Sequence, residues 1–138
     1  MNARSRLKGS NRKGFTLVEL MIVLVIAAIL LALAYPSYIQ YVRKSKRGDA
    51  QQLLLNWSVN QEIFRSNNPS YADSDDITPS ISDDYVLSVG NVSASTFTLQ
   101  ANAMGDQEND VEDGVSCDIL TLDQNGQKTP IECWGGSS

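Results

Sequence analysis

The chain has 138 residues, with 16 acids against 11 lysines and arginines, no histidine, two cysteines and a formal net charge of −5. That length holds one domain plus a short extra segment. The missing histidine excludes imidazole-based triads, imidazole zinc centres and HExxH proteases. From Gly48 onward fifteen acids stand against only Arg65 and Lys128. So anionic a surface argues against binding built on phosphate contacts, and no nucleic acid is expected as a partner.

Residues 1–14 are basic, with Arg4, Arg6, Lys8, Arg12 and Lys13. The stretch from Phe15 to Tyr35 is apolar apart from Thr16 and Glu19, and at 21 residues it is long enough to cross a bilayer core of about 30 Å. An ordinary secretory signal is cut after its apolar region. Here the small residue, Gly14, comes first, so cleavage there removes the charges and keeps the hydrophobe. The leading cations favour a cytoplasmic amino terminus and an outward carboxyl terminus, although Arg43, Lys44, Lys46 and Arg47 weaken that bias. A lone acid in such a segment is costly and marks a functional site by default, and Glu19 is that acid.

Residues 15 to about 66 read as one long helix in two parts. Its first part is apolar all round, as a lipid-facing helix must be. In the second, Ala50, Leu53, Leu54, Trp57 and Phe64 follow helical spacing, with Asn56, Asn60 and Gln61 placed off that stripe. Pro36 interrupts the helix and predicts a kink. Ser66-Asn67-Asn68-Pro69 predicts its end. A loop over 67–84 follows. Strands are expected at Tyr85–Val89, at Thr96–Ala101 with Phe97, Leu99 and Ala101 on one face, and at Ile119–Leu122, with a short edge piece over Gln127–Ile131 after an Asn125-Gly126 turn. Asp106 to Asp113 reads as a solvated acidic loop. Calcium is the sharper alternative there, but no glycine occupies the sixth position of a loop starting at Asp106, and Cys117 stands at the twelfth. The basic run Arg43–Arg47 has two open readings, a seat for anionic headgroups or a contact with acids on neighbouring subunits. Cys117 and Cys133 are expected to pair in an exported domain, closing a loop worth roughly 3 kcal/mol. Two reduced thiols are the alternative.

The run Arg12-Lys13-Gly14-Phe15-Thr16-Leu17-Val18-Glu19-Leu20 resembles the class III signal peptide of type IV pilins and the related secretion pseudopilins. The resemblance covers Met1 to about Tyr41. It implies an α+β pilin fold, a long helical spine laid on a small antiparallel sheet. The domains it implies are a cleaved leader at 1–14, a transmembrane and assembly helix at 15–36 and a periplasmic head at 37–138. A prepilin peptidase would cut between Gly14 and Phe15 and methylate the new amino terminus on Phe15. Glu19 would set axial register by pairing with the amine on Phe15 of an adjacent subunit, the alternative being an acid that snorkels to headgroups. Pro36 would bend the helix or mark local melting on assembly. Family members often carry a glycine about eight residues earlier, where this chain has Ala28. Cys117 and Cys133 would bracket the disulfide-bounded region, and Trp134 would either cover that bond or make an exposed contact.

The implied function is that of a minor pilin, a structural subunit rather than an enzyme, with no cofactor or metal. It would be stored in the inner membrane with a periplasmic head and then polymerised into an extracellular pilus serving biogenesis, motility or adhesion. Its partners would be other pilin subunits, the prepilin peptidase, the inner-membrane assembly platform and membrane lipid. The alternatives are a type II secretion pseudopilin and a DNA-uptake receptor pilin.

Overall fold

The computed structural model describes residues 14–135, so the basic leader cations Arg4, Arg6, Lys8, Arg12 and Lys13 lie outside the described residues. One helix, α1, runs Leu17–Arg65. Thr16 caps it, its Oγ1 accepting from the Glu19 amide at 3.2 Å. Thr16-Leu17-Val18-Glu19 is the spacing of a capping box, and Glu19 in the first turn also complements the helix dipole. At the far end the Asn68 side chain donates to the Phe64 carbonyl at 2.8 Å, satisfying a terminal backbone group just before Pro69.

The chain divides into two compact units between Ser37 and Tyr38, one residue past Pro36. Apart from residues 14–16, the described part of the first unit is helix. Its apolar side chains are exposed, from Phe15 at 77% to Tyr35 at 67%. Its most apolar window has a mean hydropathy of 3.0 and none of it is buried.

In the second unit, residues 38–65 of α1 accompany six strands. These are β1 (Tyr85–Gly90), β2 (Thr98–Ala103), β3 (Val111–Glu112), β4 (Val115–Ser116), β5 (Ile119–Asp123) and β6 (Lys128–Thr129). The larger sheet has the order β1-β2-β5-β6, antiparallel throughout, with Leu87↔Ala101 and Ala101↔Leu120 in register. β3 and β4 form a separate hairpin. Leu54, Trp57, Tyr85, Leu87, Phe97, Leu99, Ala101, Leu120 and Leu122 build the apolar core between helix and sheet. Each such large side chain contributes about 1.5–3 kcal/mol by leaving water.

Three sequence expectations change. β2 starts at Thr98 rather than Thr96, because the Phe97 amide donates to the Gln124 side chain at 3.2 Å instead of entering the ladder. Gln61 is not off the buried stripe but fully buried on it. Its side chain donates to the Ala72 carbonyl at 2.9 Å and accepts from the Ala72 amide at 2.8 Å, tying the 67–84 loop to the helix. The 106–113 segment is not a solvated loop. It holds a 3-10 turn at Gly105–Asn109 and the β3–β4 hairpin, whose two-residue turn, Asp113-Gly114, has positive φ at both positions (50° and 82°).

Candidate functional site: a helix start and a charged clasp

Two groups of residues carry the functional argument. In the first unit, Gly14 is exposed, and a Cβ built there would meet nothing within 4 Å. Backbone this open can be approached closely by a protease. Phe15 is exposed next to it, and the exposed Glu19 lies one turn into α1. Glu19 is the one charged residue between Leu17 and Gln40. Pro36 sits within α1, where it contributes no amide hydrogen to the helix.

The second group lies in the head. Four cations on one stretch of α1 meet four acids. Arg43 forms a fork on Asp106, with Nε at 3.0 Å from Oδ2 and Nη2 at 2.7 Å from Oδ1, and its Nη1 donates to the Asn109 carbonyl at 3.1 Å. Lys44 reaches Glu112 at 2.8 Å, and Lys46 reaches Asp84 at 2.5 Å. Arg47 is buried. It donates to Asp110 at 2.9 Å and also to Glu112. Gln107 completes the set: its Nε2 donates to the Arg43 carbonyl and the Tyr85 hydroxyl, both at 2.9 Å, and to Asp110 at 3.2 Å. The basic run Arg43–Arg47 is therefore engaged by acids of its own chain, which replaces both earlier readings of it.

The electrostatics follow from these contacts. The Arg43 hydrogen bonds hold the Asp106 carboxyl below its ordinary value, and hydrogen bonds from Lys44 and then Arg47 do the same for Glu112. Burial pushes the Asp110 carboxyl up, against the opposing pull of Arg47. Burial also raises the Tyr85 hydroxyl to about 12. No group of three or more metal-ligating side chains gathers among the described residues.

Cys117 and Cys133 are joined by a disulfide and buried. Trp134 packs against the core cluster that includes both cysteines, and Lys128 Nζ lies 5.2 Å from its ring centroid. The bonded region holds β5, which pairs with β2, and its two cysteine ends are tied to the rest of the head as well. Gln51 donates to the Cys133 carbonyl at 2.7 Å, and the Cys117 amide donates to the Asp110 carbonyl at 2.9 Å.

Sequence reasoning missed the burial of Arg47 and Gln61 and the β3–β4 hairpin, although signals for them existed. Arg47, Ala50, Leu54, Trp57 and Gln61 are spaced 3, 4, 3 and 4, so the polar pair continues the buried stripe at either end. Asp113-Gly114 is itself a hairpin turn signal.

Comparison with known proteins agrees with this architecture. A family model described as the prokaryotic N-terminal methylation motif matches residues 9–35. The type IV major pilin protein PilA of Myxococcus xanthus is 42% identical over 69 residues, covering 50% of this chain and 31% of that protein. A fimbrial protein of Moraxella nonliquefaciens is 38% identical over 65 residues, covering 47% of this chain and 42% of its own length. The matches thus span less than half the length of these curated relatives. A solved type IV pilin from Shewanella oneidensis superposes with a TM-score of 0.52 at 27% identity, covering 64% of this chain and 91% of that one. A second family model, described as type IV minor pilin ComP, DNA uptake sequence receptor, matches residues 36–121. That match takes in most of the head and more than half of the chain, and the protein accordingly belongs to the type IV pilin family.

Proposed function

We propose that the chain is a minor pilin, a structural subunit that enters type IV pilus filaments alongside other pilins. In this reading residues 1–14 are a leader removed by a prepilin peptidase, and Phe15 becomes the methylated amino terminus. Residues 15–36 anchor the subunit in the inner membrane, leave it through the assembly platform and then pack in the filament. Residues 37–138 form a head that is periplasmic first and extracellular afterwards. The observation that carries the reading is the exposed apolar helix from Leu17 to Tyr35 with one carboxylate, Glu19, in its first turn.

The chemistry supports an assembly role for Glu19. A carboxylate among hydrocarbon neighbours is expensive when alone. An amine on Phe15 of the next subunit offsets that cost in one axial position, because opposite charges attract strongly where water is absent. A subunit out of register leaves both charges unpaired. Quantitative mass spectrometry of sheared filaments tests the proposal: a low-abundance mature chain beginning at methylated Phe15 supports it. A chain retaining residues 1–14 refutes the processing, and one as abundant as the main subunit refutes the minor role.

A second reading, a DNA-uptake receptor pilin, is favoured by the family-model match over residues 36–121. Against it stands the pairing of Arg43, Lys44, Lys46 and Arg47 with acids of the same head. Titrating the protein with duplex DNA at low salt separates the two readings, since phosphate binding weakens steeply as salt rises.

A further inference from the structure

The charged clasp sits where the apolar core stops. Among the described residues, the core cluster and the hydrophobics packed against it take nothing from α1 before Ala50. Earlier on the helix, Arg43, Lys44, Lys46 and Arg47 join it to Asp84 and to the 106–112 segment by ion pairs. Gly48 lies between the two kinds of attachment. It is exposed, a Cβ there would meet nothing within 4 Å, and glycine inside a helix costs up to about 1 kcal/mol against alanine.

We propose that residues 38–47 of α1 are held to the head by a releasable ionic clasp, which opens about Gly48 while the helix from Ala50 onward stays fixed to the sheet. Opening removes no α1 residue from the apolar core cluster, and it returns Arg47 and Asp110 to water, so hydration offsets much of the lost attraction. The other pairs are partly exposed and screened by salt, whereas the apolar attachment is not. The acidic segment itself stays with the head when the helix leaves. The Cys117 amide still donates to Asp110 and the Met104 amide to Asp84, each at 2.9 Å. The head thus has two attachments to its helix, one permanent and one exchangeable. Local openings of this kind fall well below global unfolding in free energy. This property belongs to the head alone and does not depend on the assembly reading.

The test is a pair of spin-label distances measured by pulsed electron resonance on the full chain in detergent. One pair, Ser45→Cys with Val111→Cys, spans the clasp, and the other, Asn60→Cys with Val86→Cys, spans the apolar attachment. Raising the salt is expected to add a second, longer distance to the first pair only. Asp106→Asn and Glu112→Gln are chosen because neither removes the buried Asp110. Asp106→Asn is expected to raise that longer population about threefold, the size of an exposed ion pair, and Glu112→Gln, which loosens buried Arg47 as well as Lys44, to raise it at least as much. Asp75→Asn, at an exposed acid outside the clasp, is expected to leave both distances alone. The proposal is overturned if the first pair keeps a single distance under salt and in both variants, or if the two pairs broaden together.

Discussion

Arg47 and Asp110 stand 63 residues apart in the chain and meet at 2.9 Å, with their side chains 3% and 5% exposed. Such a pair is not strong evidence of net stabilisation, because both ions have left water. Breaking it is a different matter. Asp110→Ala leaves a buried guanidinium short of a partner and is expected to destabilise the head, by no more than the free energy of opening the clasp, since the open form returns Arg47 to water. Replacing both residues, Arg47→Met with Asp110→Leu, is expected to recover most of that loss. Urea unfolding midpoints of the detergent-solubilised protein measure both changes.

Acid acts on the clasp with two signs. Asp106 and Glu112 have depressed carboxyls, so their contribution is complete above the ordinary values of 3.8 and 4.5 and is lost as pH falls through their lower folded values. Asp110, raised by burial, works the other way, favouring the folded state as it takes up its proton. The wild-type head is expected to lose stability from about pH 5 downward, and the Asp106→Asn, Glu112→Gln double variant to show a flatter profile there. Thermal midpoints recorded across that range supply the comparison.

Gln61 adds a buried tie to a loop that Tyr71 and Ile77 also pack against the core. Gln61→Ala strands the amide and carbonyl of buried Ala72, and an unpaired buried group costs about 1–3 kcal/mol. The expected loss is about 2 kcal/mol in chemical unfolding. Faster proteolysis within residues 67–84 should accompany it.

Reducing the Cys117–Cys133 bond frees a loop with a sequence separation of 16. The chain-entropy account puts the loss at about 3 kcal/mol. Unfolding curves with and without reductant give this number directly.

Glu19→Ala is expected to leave membrane insertion intact, since it removes a charge from an apolar segment. Under the assembly reading it lowers the amount of chain recovered in sheared filaments. Immunoblots of membrane and filament fractions distinguish the two effects, and normal filament levels would remove the register role.

Much of the fold was legible because it rests on local periodicity. The apolar run ahead of Pro36 shows as unbroken hydropathy, while the helical spacing of Ala50, Leu54 and Trp57 and the alternation of Phe97, Leu99 and Ala101 each express one buried face. The charged clasp was not legible in the same way. Which acid Arg47 meets depends on how a hairpin far along the chain folds back, and charge type alone does not encode that. Gln61 was misplaced for a related reason: an amide reads as surface until its two backbone partners on Ala72 are known. Even so, both residues sat in phase with the buried stripe, so spacing was the better guide than polarity.

Because Arg43, Lys44, Lys46 and Arg47 already hold acids of their own chain, other carboxylates carry no ion pair among the described residues. Asp73, Asp75, Asp76 and Asp83 are examples. Each head therefore travels inside a cloud of counterions from the surrounding medium. That cloud is about 8 Å thick at physiological ionic strength and about 30 Å in dilute buffer. Crowding such heads together squeezes their clouds, so fresh water and seawater set different limits on how densely they can be arrayed.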